Sequence, residues 1–197
     1  MTEARWLTAT DPTGMLKFLK GSASDRKLRL FAVVSCRTAW SNFPNEACRR
    51  AVLVAESFAD GLADESELQT AREEALQTAE LISEQNIEGC GRAWARVAAE
   101  AAWVPVLVPQ LRGSAPFLRD VFGNPFRPVA FNPAWRTSNV LALAEGIYQE
   151  RAFGRMPVLA DALEDAGCVN EDILSHCRSD GPHVRGCWVV DLLLGKD

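Results

Sequence analysis

The sequence predicts an all-α protein, an irregular array of about nine or ten helices, and three observations predict it. Apolar residues recur at helical spacing in one segment after another, from Met15 through to Leu194. Most of these segments open on a residue whose side chain can cap a helix N-terminus, among them Asp11, Ser24, Asn45, Asp64, Ser114, Thr137 and Asn170. Several close on a glycine, as at Gly21, Gly61, Gly167 and Gly195. The breaks in pattern gather in one Pro-rich loop near 105–134 rather than being spread between short strands.

The elements follow in order. Asp11-Pro12 places a cap and a first-turn proline before Met15, Leu16, Phe18 and Leu19, and Gly21 closes that helix. Ser24 or Ser22 caps the next, DRKLRLFAVVSCRTAW. Its run from Leu30 to Val34 would suit a buried strand, but Leu28, Phe31, Val34 and Ser35 continue at helical spacing, so a helix is expected. Asn45 opens NEACRRAVLVAESFADG with Ala47, Ala51, Val52, Ala55 and Phe58 on one side. Asp64 and Glu67 form a capping-box pattern ahead of a long polar helix whose inward stripe is Leu68, Ala71, Ala75, Ala79 and Ile82. Its glutamates make a solvated outer face. Gly89 to Gly91 mark a turn before RAWARVAAEAAWV, whose alanines would let a neighbouring helix come close.

From Pro105 to Ala134 six prolines interrupt every pattern, leaving one short helix, APFLRDVFG, capped by Ser114, and an extended loop. Loops of this kind can carry function. The simpler expectation is that Phe126, Val129, Phe131 and Trp135 tuck the loop onto the core. Thr137 or Ser138 then starts NVLALAEGIYQERAF. The last stretch, residues 157–197, reads as a tail of three short helices docked on the rest: one from Pro157 to about residue 166, one capped by Asn170, and one expected from Pro182 onward. In that third helix His183, Cys187 and Asp191 would follow one another at i, i+4 and i+8 along one face.

With 197 residues, 48% of them hydrophobic and 24% charged, the chain suits a single globular domain over 1–197. A formal net charge of -5 argues against general affinity for nucleic acid or for an anionic membrane. Arg26 to Arg29 with Arg37, Arg49 and Arg50 could still gather as a local positive surface, although stripes such as Phe31 and Trp40 fit a core better than a stacking platform. The N-terminal residues show no apolar core of the length a secretory leader needs, and no run of about 18 apolar residues follows, so neither a leader nor a membrane span is expected. The expected compartment is the cytoplasm, where the six cysteines are reduced thiols rather than a disulfide framework.

Three long phrases, WLTATDP…MLKFLKGSASDRKLRLFA, RDVFGNPFRPV and ADALEDAGC…ILSHCR…GPHVRGCWVVDLLLGK, resemble a family of uncharacterised proteins from planctomycete-type bacteria. The resemblance spans nearly the whole chain. It implies a complete, bacterial, intracellular module and carries across no activity, cofactor or catalytic residue.

The chemistry concentrates in the tail. Cys168, Cys177, His183 and Cys187 are groups of the kind that hold four-coordinate zinc, with His176 as a substitute ligand. The tight C-x(2–4)-C turn of a zinc knuckle is missing, and the competing expectation is that these thiols only pack in the core. A thiolate pair of Cys187 or Cys36 with a histidine, oriented by Asp191 or Asp161, is a second option that no surrounding signature supports. GCGRA at 89–93 lacks the strand and the Lys-Ser/Thr of a phosphate loop. With no catalytic groups gathered in a known pattern, the sequence favours a non-catalytic binding or scaffold module with a protein partner and no cofactor. The alternative is a small zinc protein or thiol enzyme built on the tail.

Overall fold

The computed structural model describes residues 1–84, 91–103 and 113–196. Among them are eleven α-helices and no strand, the class expected from the capped, helix-spaced segments. They are α1 (Glu3–Thr8), α2 (Thr13–Leu19), α3 (Asp25–Thr38), α4 (Glu46–Ala59), α5 (Glu65–Glu84), α6 (Gly91–Trp103), α7 (Ala115–Phe122), α8 (Ser138–Glu150), α9 (Met156–Asp165), α10 (Glu171–Cys177) and α11 (Trp188–Leu194). None of the described helices is long and apolar enough to cross a membrane. The helices gather into two compact units: a middle unit, Asp11–Ser114, and a terminal unit built from Met1–Thr10 and Ala115–Asp197.

In the middle unit α4 packs against α3, α5 and α6, and α5 lies along α6. Three of the caps predicted for this unit form, whereas Pro12 rather than Asp11 is the N-cap of α2, with Asp11 one position further out accepting the Thr13 N–H at 2.9 Å. Ser24 accepts from the Lys27 N–H, Asn45 accepts from that of Cys48, and Asp64 and Glu67 exchange side-chain to backbone bonds of 2.8 and 3.0 Å. The stripe Leu68, Ala71, Ala75 and Ala79 is buried, and Ala95, Ala98 and Ala99 of α6 join the same core, so small side chains let the helices close. Basic residues of this unit stand beside acids rather than in a bare positive field: Arg26 with Asp60, Arg37 with Glu56, Arg50 with Glu74. The turn predicted at Gly89 and Cys90, and Pro105 and Pro109, lie outside the described residues.

The terminal unit is centred on α8, which packs on α9 and α11, while α10 packs on α9 and α11 and α7 meets α11. Its core draws Val140, Ile147 and Tyr148 from α8, Leu159 and Leu163 from α9, Ile173 and Leu174 from α10, and Val189, Val190 and Leu193 from α11. Thr137 and Asn170 cap α8 and α10 as expected. Trp135 is buried with Phe131 edge-on to it at 6.0 Å, so the extended loop is indeed held on the core. Arg136 reaches across to donate to the Leu192 and Leu193 carbonyls, satisfying the C-terminal end of α11.

Two elements differ from expectation. The last helix does not start after Pro182. It starts at Trp188, with Cys187 as its N-cap, because the His183 ring and the Val184 N–H are engaged by Asp120 and Gly186 turns the chain at φ +91°. His183 therefore does not share a helix face with Cys187 and Asp191. At the other end of the chain, α1 is a helix that the apolar spacing did not reveal, since Trp6 is its one buried residue. Trp6 is held by its indole N–H on the Gly123 carbonyl, and Arg119 of α7 donates to the Trp6 and Ala9 carbonyls.

Candidate metal centre

Four side chains of the terminal unit converge. Asp120 stands on α7, whose Ala115, Leu118 and Val121 are buried around it, and its own side chain is 2% exposed. His176 lies in the last turn of α10, His183 in the loop that follows, and Cys187 is the fully buried N-cap of α11. One ligand-capable atom from each of the four lies within 4.8 Å of all the others. Asp120 Oδ1 is 2.9 Å from His183 Nδ1 and 3.2 Å from His176 Nε2, and that same nitrogen is 3.2 Å from Cys187 Sγ. Asp120 Oδ2 accepts the Val184 N–H at 2.9 Å, which pins the carboxylate and shapes the loop between the histidines and the thiol.

The electrostatics are those of two acidic groups shut away together. Burial pushes the Cys187 thiol well above its ordinary range and the neighbouring Asp120 charge adds to this, while the Val190 and Val189 amides pull the other way. Burial would raise the Asp120 carboxyl as well. The hydrogen bonds from His176, His183 and Val184 outweigh it and hold the group below its usual value. His183 Nε2 is buried with no hydrogen-bond partner among the described residues, an arrangement that costs about 1–3 kcal/mol unless a non-protein group takes it.

The arrangement differs from that of a Cys-His-Asp relay. In a Cys-His-Asp relay the carboxylate orients the imidazole through the ring nitrogen remote from the nucleophile. Here Asp120 and Cys187 both face Nε2 of His176, and the thiol is buried and hard to ionise. A ring nitrogen offers one donor or one lone pair, so hydrogen bonding alone serves one of those two contacts well. A cation placed among the lone pairs serves all of them.

Of the residues singled out in the tail, His183 and Cys187 come together, and His176, the substitute, joins them. Cys168 and Cys177 do not belong to the converging set. They are buried in the apolar core, where burial, with Cys168 as a neighbour, pushes the Cys177 thiol up to about 12. Asp161 pairs with Arg178 and does not touch either imidazole ring among the hydrogen bonds of the terminal unit, and Asp191 is buried outside the cluster. Cys36 lies in the middle unit as an inert buried thiol. Asp120 is the member that sequence reasoning missed. It sits in the short helix of the Pro-rich segment, and no local spacing ties it to the tail. A carboxylate flanked by Leu118 and Val121 was the one available hint. Searches of protein-family models, curated proteins and solved structures find no match for the chain.

Proposed function

We propose that this chain is a non-catalytic zinc-binding protein whose terminal unit is fastened by one ion held between Asp120, His176, His183 and Cys187. The observation that carries the reading is the convergence of one oxygen, two imidazoles and one sulfur within 4.8 Å in a buried place. A mixed N, S and O set of four suits zinc, and a hard ion such as magnesium or calcium would seek oxygens alone. An ionised Asp120 and Cys187 with two neutral imidazoles balance a divalent charge, which removes the penalty of burying the anions unpaired. Four protein ligands leave no open position for a water or substrate, the pattern of a structural rather than a catalytic site.

The role follows from where the ligands stand. Short helices such as α7, α10 and α11 do not persist alone in water, and an ion shared among them turns metal-binding energy into folding energy. The test is metal analysis of protein purified without added metal, followed by competition with a chelator. One zinc per chain is expected, with Cys187→Ser and Asp120→Asn weakening its hold by more than the roughly 10- to 100-fold that loss of an outer-shell partner costs and Cys168→Ser and Cys177→Ser keeping the stoichiometry. Metal-free protein that also fails to take up zinc on titration would refute the reading.

A further inference from the structure

Resting on the zinc reading above, we propose that occupancy of the metal site controls the seating of the N-terminal helix α1. This helix has six residues, too few to persist unaided, yet Trp6 at its centre is completely buried. Several of its anchors come from one short stretch of chain. The Trp6 indole donates to the Gly123 carbonyl at 3.0 Å. Arg119 donates to the Trp6 and Ala9 carbonyls at 3.1 and 3.0 Å, closing the C-terminal end of α1. Asn124 donates to Glu3 at 2.8 Å, and Arg127 pairs with the same carboxylate at 2.6 Å.

That stretch is α7 with the loop after it, and α7 is itself only eight residues long. Two routes join it to the metal ligands. Asp120 is the residue next to Arg119, so the ligand that would be gripped by the ion and the side chain that grips α1 share one helical turn. The second route runs through Trp188. Its ring lies 5.3 Å from that of His176, and it covers Gly123 so closely that a Cβ there would meet the indole at 3.1 Å. Gly123 has φ +64°, a conformation that glycine adopts without cost, and its carbonyl is the acceptor for Trp6. His176, Trp188, Gly123 and Trp6 therefore form a continuous packed path. An ion that fixes Asp120 and His176 fixes both routes, and its loss frees α7 to shift and α1 to detach.

Linkage makes the proposal testable from both ends, because whatever free energy zinc lends to α1 the docking of α1 must return to zinc. Hydrogen exchange of the full chain, zinc-loaded and chelated, should show exchange in residues 1–10 rising by about 10-fold when the ion is removed, within the usual span of such couplings. Trp6→Ala, and Arg119→Gln should the first variant not fold, should weaken zinc binding by a similar factor, while Val52→Ala in the middle unit leaves the affinity unchanged. Zinc that binds and dissociates with no change in exchange over residues 1–10, or an Arg119→Gln protein that binds it as the parent does, overturns the coupling and leaves the zinc site standing. A chain that takes up no zinc overturns both.

Discussion

Asp120 is a residue whose meaning depends wholly on the fold. As a buried carboxylate on an apolar helix it would be a liability, and it is tolerated because two imidazoles and a backbone N–H converge on it. The tail histidines and Cys187 were legible as chemistry from their crowding in the sequence. Choosing among the three tail cysteines was not, because burial and ligation use the same residue type and the difference lies in which way each helix is turned. The other described thiols, Cys36, Cys48, Cys168 and Cys177, are buried and behave as small hydrophobes, and Cys36 gives this a measurable form. Burial pushes its thiol from 9.0 up to about 12, with Arg37 opposing. A raised acid stabilises the folded state fully below the unfolded value and loses that contribution as pH climbs toward the folded one. Stability of the middle unit should therefore fall between about pH 9 and 12, and Cys36→Ala should flatten that fall in denaturant titrations made at the two ends of the window.

At the scale of the element, caps were the most readable feature and helix starts without caps the least. Asp64 and Glu67 bond as their spacing demanded, so Asp64→Ala should cost ~1 kcal/mol in a denaturant titration, the usual worth of such a cap. The beginning of α11 was expected just after Pro182 and lies at Trp188, roughly one and a half turns later, because Asp120 captures His183 and Val184, a long-range event invisible to local pattern. The sequence pointed to Trp188, Val189 and Leu192 as the packing face of this helix, whereas Val189, Val190 and Leu193 are the buried ones and Trp188 and Leu192 pack beside them half-buried. Trp188→Ala should cost roughly 2–4 kcal/mol, somewhat below a fully buried aromatic. Gly123→Ala should destabilise by about 1–2 kcal/mol through its left-handed backbone and its contact with the Trp188 ring. The double variant should cost less than the sum, since removing the ring clears the space that the new methyl needs. Additive costs would mean that the two positions do not touch.

For the whole molecule, the all-helical class was written in periodicity and caps, whereas the partition into a middle and a terminal unit was not. Nothing in the first ten residues announces that they belong with the chain after Ala115. That association rests on Trp6, Glu3, Arg119 and Asn124, single polar and aromatic contacts over more than a hundred residues of separation. Zinc should therefore stabilise the terminal unit selectively: chelation should lower its thermal midpoint and leave helical signal from the middle unit, an outcome that circular dichroism with exchange mapping can resolve. The central claim is the identity of the ligands, and X-ray absorption at the zinc edge of the full chain tests it most directly. The account predicts one sulfur at about 2.3 Å and three nitrogen or oxygen neighbours at about 2.0–2.2 Å, with the sulfur lost in Cys187→Ser. Two or more sulfurs, or a six-coordinate shell of light atoms without any sulfur, would contradict it.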